Sequence, residues 1–305
     1  APLPAAGLDS ATLATVIEVR GREAVVSLED GRVTAARPSP FLVLDGALER
    51  QPLAVGDLVR MRMLGGVARL VAVEPRRSAL RRHAGDRDRM GGGAEQVIAA
   101  NVDQVVLVVT PSSPPFRPGL VDRYLVAAGR DGLPLLLCLN KADLGMPPGL
   151  PEWLDGYARL GIEVARTSAV TGEGVPALRR RLEGNISLLA GHSGVGKSSL
   201  LNALEPGLAR PSGAVTGTAD GQGKGTHTTT SARLIPLATA GTYVVDSPGT
   251  RMFGIGRMDA GELASLFVEV AAAAPACAVE AALSATAFGR HRLASYRTLL
   301  AEATG

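Results

Sequence analysis

Gly191-His192-Ser193-Gly194-Val195-Gly196-Lys197-Ser198 fits G-x-x-x-x-G-K-S/T, and its reading decides that of the segments around it. The apolar run Ile186 to Ala190 precedes it and a helix-like run, Ser199 to Leu204, follows. Strand, glycine loop and helix in that order are the context of a phosphate-binding P-loop rather than of an ordinary glycine turn. Glycines let successive backbone N–H groups converge on a phosphate at a helix N-terminus, where the partial positive charge favours an anion. In such a loop Lys197 reaches the β- and γ-phosphates and the Ser198 hydroxyl ligates Mg²⁺.

Upstream the pattern is α/β. Gln104 to Thr110 reads as an apolar strand, Gly119 to Arg130 as an amphipathic helix and Leu133 to Leu139 as a second strand, an alternation that implies a parallel sheet with helical crossovers. The second strand runs into Asn140-Lys141-Ala142-Asp143, an N-K-x-D at the C-terminal end of a strand, where open α/β sheets bind ligands. A carboxylate at Asp143 can accept from guanine N1–H and the exocyclic amine, a donor pair that adenine lacks. Asn140 and Lys141 would hold the loop and pack on the base. Cys138, on the same strand, reads as a small buried hydrophobe. Glu152 to Leu160 reads as a helix and Glu163 to Thr167 as a strand that ends in Ser168-Ala169, a second loop placed to bring backbone N–H groups near guanine O6. The helix Val175 to Leu182 then leads back to the P-loop strand.

Downstream, Gly207 to Thr230 is rich in Gly, Ser and Thr and ends in His227-Thr228-Thr229-Thr230. It suits either a switch that closes when a threonine hydroxyl joins Mg²⁺ and the γ-phosphate, or a disordered surface loop. Leu234 to Leu237 and Tyr243 to Val245 read as strands, the second leading to Asp246-Ser247-Pro248-Gly249. An aspartate there can hold Mg²⁺ through water while the Gly249 N–H senses the γ-phosphate.

At the N-terminal end, β-like runs at Leu13 to Arg20, Ala24 to Leu28, Val33 to Arg37, Leu58 to Met63 and Val67 to Val73 are punctuated by Asp30-Gly31 and Gly65-Gly66. Asp-Gly between alternating runs marks a hairpin, and short strands so closely spaced suit a small closed barrel of the OB type. With few aromatics for base stacking, the barrel reads equally as an RNA-contacting module or as one that packs on its neighbour. The basic run Arg76 to Arg89, closed by Gly91-Gly92-Gly93, reads either as a phosphate-contacting linker or as a solvated one partly neutralised by Asp86 and Asp88. The organisation expected is multidomain: an OB-fold barrel at 1–75, a basic glycine-rich linker at 76–95, an α/β P-loop domain at 96–258 and a short α-helical region at 259–305.

A chain of 305 residues that is 46% hydrophobic can build several cores. Its +3 net charge permits a phosphate-rich partner without requiring one. Two cysteines offer no disulfide framework, no run reaches the length of a membrane span, and no export signal is visible, so a cytoplasmic protein with no membrane partner is expected.

The order of the motifs is the telling feature. Ordinary small GTPases run P-loop, switch threonine, DxxG, NKxD, SA; here NKAD and SA precede the P-loop and Asp246 to Gly249 comes last. That is a circular permutation, tolerated where domain ends lie close together. A barrel, a permuted GTPase, GHSGVGKSS, HTTT and DSPG together closely resemble the ribosome small subunit-dependent GTPase A family (RsgA or YjeQ). The likeness covers roughly residues 10 to 258. It implies a GTP hydrolase in late maturation of the bacterial 30S subunit, stimulated by that subunit. GTP and GDP are then substrate and product, Mg²⁺ the cofactor, and the 30S subunit with its 16S rRNA the partner of a monomer. The nucleotide-binding set it implies is Asn140, Lys141, Asp143, Ser168, Ala169, Gly191, His192, Ser193, Gly194, Val195, Gly196, Lys197, Ser198, Ser199 and Gly249. Ser198, Thr229 and Asp246 hold Mg²⁺, and Lys197, Thr229 and His227 serve catalysis. The competing reading is a GTP-dependent RNA- or protein-binding module with negligible turnover. An ATP-dependent kinase on the same P-loop conflicts with NKAD.

The chain departs from that family at two places. Thr250 stands where Ras-like enzymes carry a water-orienting Gln, so slow intrinsic hydrolysis is expected, with His227 as the substitute or else as an RNA contact. Family members also carry a C-terminal zinc site of three Cys and one His. Here the segment between Phe267 and Cys277 is mostly alanine, so no structural zinc is expected. The remaining tail reads as helices at Glu262 to Ala274 and Val279 to Ala303, with Arg290, His291, Arg292 and Arg297 on a solvated face or against RNA.

Overall fold

The computed structural model describes residues 11–21, 23–43, 53–82, 96–206, 232–239, 241–246, 255, 258–271, 280 and 283–304. The alternating N-terminal runs form β1 (Thr12–Arg20), β2 (Glu23–Leu28), β3 (Val33–Val43), β4 (Leu58–Leu64) and β5 (Val67–Val73). Ala14 and Val16, Ala24 and Val26, Val59 and Met61, and Ala68 and Leu70 alternate inward, as a period of two requires, and meet in one core. The pairings β1–β2, β2–β3, β3–β5, β5–β4 and β4–β1 close the barrel.

The segment expected to be linker is partly built into the fold. β6 (Ala79–Arg82) pairs antiparallel with β7 (Gln96–Ala100) as a separate two-stranded sheet. Arg76 does not face solvent or phosphate: it forks onto the fully buried Asp57 at 2.7 and 2.9 Å. Arg77 pairs with Asp103 at 3.3 Å. The rest of the linker, 83–95, lies outside the described residues.

β8 (Gln104–Val109), β9 (Leu135–Leu139), β10 (Glu163–Arg166), β11 (Ile186–Ala190), β12 (Arg233–Pro236) and β13 (Tyr243–Asp246) form a sheet of order β10-β9-β8-β11-β13-β12, parallel except for β12. Its central strands β8, β9 and β11 are buried at every position because both faces are covered, and they are apolar but for Gln104 and Ser187, which bond each other at 2.9 Å. Val105, Leu107 and Val109 pack with α1 (Pro118–Arg130) and α2 (Leu150–Arg159), while Val106 and Val108 pack with α3 (Val175–Leu182) and α4 (Lys197–Leu204). β12 also pairs with β1, where Glu18 and Arg233 face each other and join at 2.6 Å, so barrel and α/β sheet form one continuous sheet.

A second junction lies at Val55-Gly56-Asp57. Ala100 N–H donates to the Val55 carbonyl at 2.8 Å and Asn101 Nδ2 to the Gly56 carbonyl at 2.9 Å. Gly56 has φ +88°, and a Cβ there would collide with the Ala100 carbonyl. Gly56→Ala is therefore expected to cost about 2–4 kcal/mol, from left-handed strain plus overpacking. Calorimetry should show a melting temperature lower by several degrees; an unchanged value would disprove the close approach.

The tail forms α5 (Ala260–Leu266), capped by Asp259 through the Glu262 N–H at 2.8 Å, then α6 (Val268–Ala271) and α7 (Ala287–Thr304). The single helix expected from Glu262 is broken at Phe267, whose fully buried ring turns into the core. Among the described residues no helix is long and apolar enough to cross a membrane.

Candidate functional site

The loops that carry the motifs emerge at one edge of the parallel sheet, the C-terminal ends of β8, β9, β10, β11 and β13. Between β11 and α4 the chain turns through Gly191 (φ +135°), Gly194 (+86°) and Gly196 (+91°), conformations that only glycine adopts without strain. Space is as restrictive as φ. A Cβ on Gly191 would run into the Val108 carbonyl, and one on Gly196 would stand 2.5 Å from Asn140 Nδ2. Val195 is buried and pins the loop, while His192, Ser193 and Gly194 are exposed at its tip. Lys197 spans the loop from below, Nζ donating to the carbonyls of Gly191 at 2.7 Å and His192 at 3.0 Å. Among the described residues no side chain caps α4, whose first turn presents the N–H groups of Lys197, Ser198 and Ser199. The Ser198 side chain is exposed beside them.

Asn140 is the junction of the site. Fully buried after β9, it donates from Nδ2 to the Val195 carbonyl at 3.0 Å. Its Oδ1 accepts from the Thr167 hydroxyl at 3.3 Å and from the Ala169 N–H at 3.2 Å. One amide thus joins the P-loop, the N-K-A-D loop and the Ser-Ala loop. Lys141 adopts φ +60°, and its Nζ donates to Ser113 O at 2.8 Å and Gly194 O at 2.7 Å, a second strap across the P-loop. Asp143 sits on the 3₁₀ turn Ala142–Leu144, exposed, with no bonded partner among the described residues. The turn is held by the Ala142 N–H on Thr167 O at 3.0 Å. Ser168 is buried and shapes its loop, its Oγ accepting from the Thr171 N–H at 3.1 Å. The Ala169 N–H, expected toward guanine O6, is aimed at Asn140 Oδ1. Cys138 lies behind the loops, where burial pushes its thiol up to about 11, the Thr167 hydroxyl opposing weakly.

The structure thus gathers Asn140, Lys141, Asp143, Ser168, Ala169 and Gly191 to Ser199 at one edge. Asp246 ends β13 at the same edge, and its backbone alone is described. His227, Thr229 and Gly249 lie outside the described residues. Two contributors are not legible as motifs. Thr167 was readable only as a strand end, and Ser113 lies in the loop after β8; the available signal for Ser113 was its place beyond a strand's C-terminal end.

A parallel sheet with a P-loop fastened by one asparagine to N-K-A-D and Ser-Ala loops that precede it in the chain defines a circularly permuted P-loop GTPase. A family model described as RsgA GTPase matches residues 73–256. The small ribosomal subunit biogenesis GTPase RsgA of Chlorobaculum parvum is 37% identical, over 93% of this chain and 96% of its own length. Its counterpart from Bacteroides fragilis is 32% identical over 93% and 95%. The chain belongs to the RsgA GTPase family. Among solved structures, YjeQ from Thermotoga maritima aligns with a TM-score of 0.71 and 29% identity over 96% of this chain and 98% of that one. YloQ, a circularly permuted GTPase, aligns at 0.68 with 22% identity over 99% and 98%, a likeness of fold.

Proposed function

We propose that this protein hydrolyses GTP as an assembly factor of the small ribosomal subunit, acting as a monomer on the 30S particle and its 16S rRNA. The observation that carries the reading is the Asn140 junction, which makes the shape of the base-side loops and of the P-loop a single structural quantity. Asp143 accepts the guanine N1–H and amine, the α4 N-terminus and glycine loop cradle the phosphates, and Lys197 exchanges its two loop carbonyls for β- and γ-phosphate oxygens. Ser198, Asp246 and Thr229 are the residues to hold Mg²⁺, and Ser198 fits it by its exposed hydroxyl at the helix start. The ion, when bound, neutralises charge on the phosphate oxygens. His227 orients water in place of the missing Gln, and the 30S subunit supplies the ordering that makes turnover fast.

The permutation gives the γ-phosphate signal a route. Six residues after Gly249 in sequence stands Ile255, whose carbonyl accepts from Arg130 on α1 at 2.9 Å and which packs with Met258, Leu263, Phe267 and Leu299 of the tail. A change at Asp246 to Gly249 is then carried to the tail along the chain, which is six residues from Gly249 to Ile255 in sequence.

The test is GTP hydrolysis by the full chain with and without purified 30S subunits. Stimulation of at least about tenfold is expected, well below the range available to a trans-acting stimulator. A rate that 30S subunits leave unchanged would favour the binding module without turnover, which Thr250 in place of Gln also suits.

A further inference from the structure

The family resemblance implies a zinc ion held by three cysteines and a histidine in the C-terminal region, and the residues of this chain do not fit it. The sequence holds two cysteines, and one of them, Cys138, is sealed inside the sheet on β9. His291 is already committed: its Nε2 lies 2.9 Å from Asp122 Oδ2, and its ring stands edge-on to Trp153 at 5.0 Å between centroids.

Another device holds the tail. Asp122, fully buried on α1, receives Arg292 Nη1 at 2.6 Å and the Tyr157 hydroxyl at 2.9 Å besides His291. Arg292 is 2% exposed, extends Nε to Glu269 on α6, and lies 4.2 Å over the Phe267 ring. One guanidinium therefore bridges carboxylates on α1 and α6 while stacked on an aromatic face, uses to which the planar fork of arginine is suited and lysine is not. Burial pushes the Asp122 carboxyl up, but the His291 hydrogen bond and the Arg292 charge outweigh it and hold it below the ordinary carboxylate range. Around this cluster, Phe288 packs between Trp153 at 5.7 Å and Tyr157 at 5.2 Å. Gly156 leaves no Cβ where the Phe288 ring lies.

We propose that Asp122, Arg292, Glu269 and His291 form a metal-free latch that fixes the C-terminal helices on α1 and α2, in the role a structural zinc site would fill. Removing one member strands a buried charge, so the cluster admits one docked geometry where a purely apolar seam admits sliding. The latch does not depend on the nucleotide reading and is tested without hydrolysis.

Trp153 is the chain's one tryptophan and faces α7, so its emission reports docking. The purified full chain is expected to hold less than about 0.1 zinc per molecule, against one for a structural site. Exhaustive chelation and added Zn²⁺ should both leave the emission maximum and melting temperature unchanged. Arg292→Met is expected to shift emission red by about 5–10 nm and to speed amide exchange in 287–304 at least about tenfold, with β11 and β13 still protected. Asp122→Asn/Glu269→Gln/Arg292→Met, which removes the charges together, should restore most of that protection. If Arg292→Met does not fold, Arg292→Lys, which keeps the charge but loses the fork, should shift both readouts the same way by less. Bound zinc whose removal moves Trp153 emission would overturn the proposal, as would Arg292 variants with unchanged emission and exchange.

Discussion

Asp143→Asn is expected to weaken GDP and GTP binding by about 10²–10³-fold while xanthine nucleotides gain, so that the preference inverts. Two hydrogen bonds to a charged acceptor are worth about 1.5–3 kcal/mol each. An asparagine amide retains one acceptor, but its NH₂ faces the guanine donors and repels them. Xanthine carries a carbonyl where guanine carries the amine, and that NH₂ then donates to it. The substitution leaves the fold alone, because Asp143 is exposed and bonds to none of the described residues. Its turn is held instead by backbone bonds, Ala142 N–H to Thr167 O at 3.0 Å and Leu144 N–H to Lys141 O at 3.1 Å. Competition of GDP, XDP and ADP against a fluorescent guanine nucleotide reads the outcome. An unchanged GDP-to-XDP ratio would remove Asp143 from base recognition, and tight ADP binding would remove the guanine assignment altogether.

What the sequence made legible divides along physical lines. The P-loop, N-K-A-D and Ser-Ala are each a contiguous run, so residue type and spacing carry them. The barrel strands were legible from their period of two and from Asp30-Gly31. For β3 the pattern predicts an end at Arg37, because Pro38 and Pro40 look like a break, whereas the strand continues six residues further to Val43. The strand accommodates them by pairing with β5 through an irregular register between Pro38 and Val43. β6 was hidden because Arg81 and Arg82 resemble a solvated charge run. Thr167 and Ser113 act on groups 27 and 28 residues away, and no local pattern reports that. On α7 the sequence places Arg292 on a solvated face or against RNA, whereas the structure buries it. A trace of this was present: Gly289, Arg292, Leu293, Leu299 and Ala303 follow helical spacing on one face, so the arginine lies within the apolar stripe.

Asn140→Ala is expected to weaken GDP and GTP binding together, by about 10²-fold, without altering the preference between guanine and xanthine. The side chain makes three hydrogen bonds at a fully buried position, to Val195 O, Thr167 Oγ1 and the Ala169 N–H. Truncation leaves those groups short of partners where water does not replace them, at about 1 kcal/mol each. The loss falls on geometry and not on a ligand contact. Gly196 can approach Asn140 only because it lacks a Cβ, and Val195 loses its tie to the base-side loops, so phosphate cradle and base platform are no longer held in one register. Phosphate-side and base-side affinity should therefore fall as one quantity, whereas Asp143→Asn moves base preference alone. Asn140→Asp gives the sharper comparison: it keeps Oδ1 for Ala169 and Thr167 but presents a carboxylate oxygen to the Val195 carbonyl. It should thus be at least as weak as the alanine variant. Titration of each variant with GDP and with XDP separates the outcomes, and an Asn140→Ala protein with native GDP affinity would show that the three loops hold their places without the asparagine.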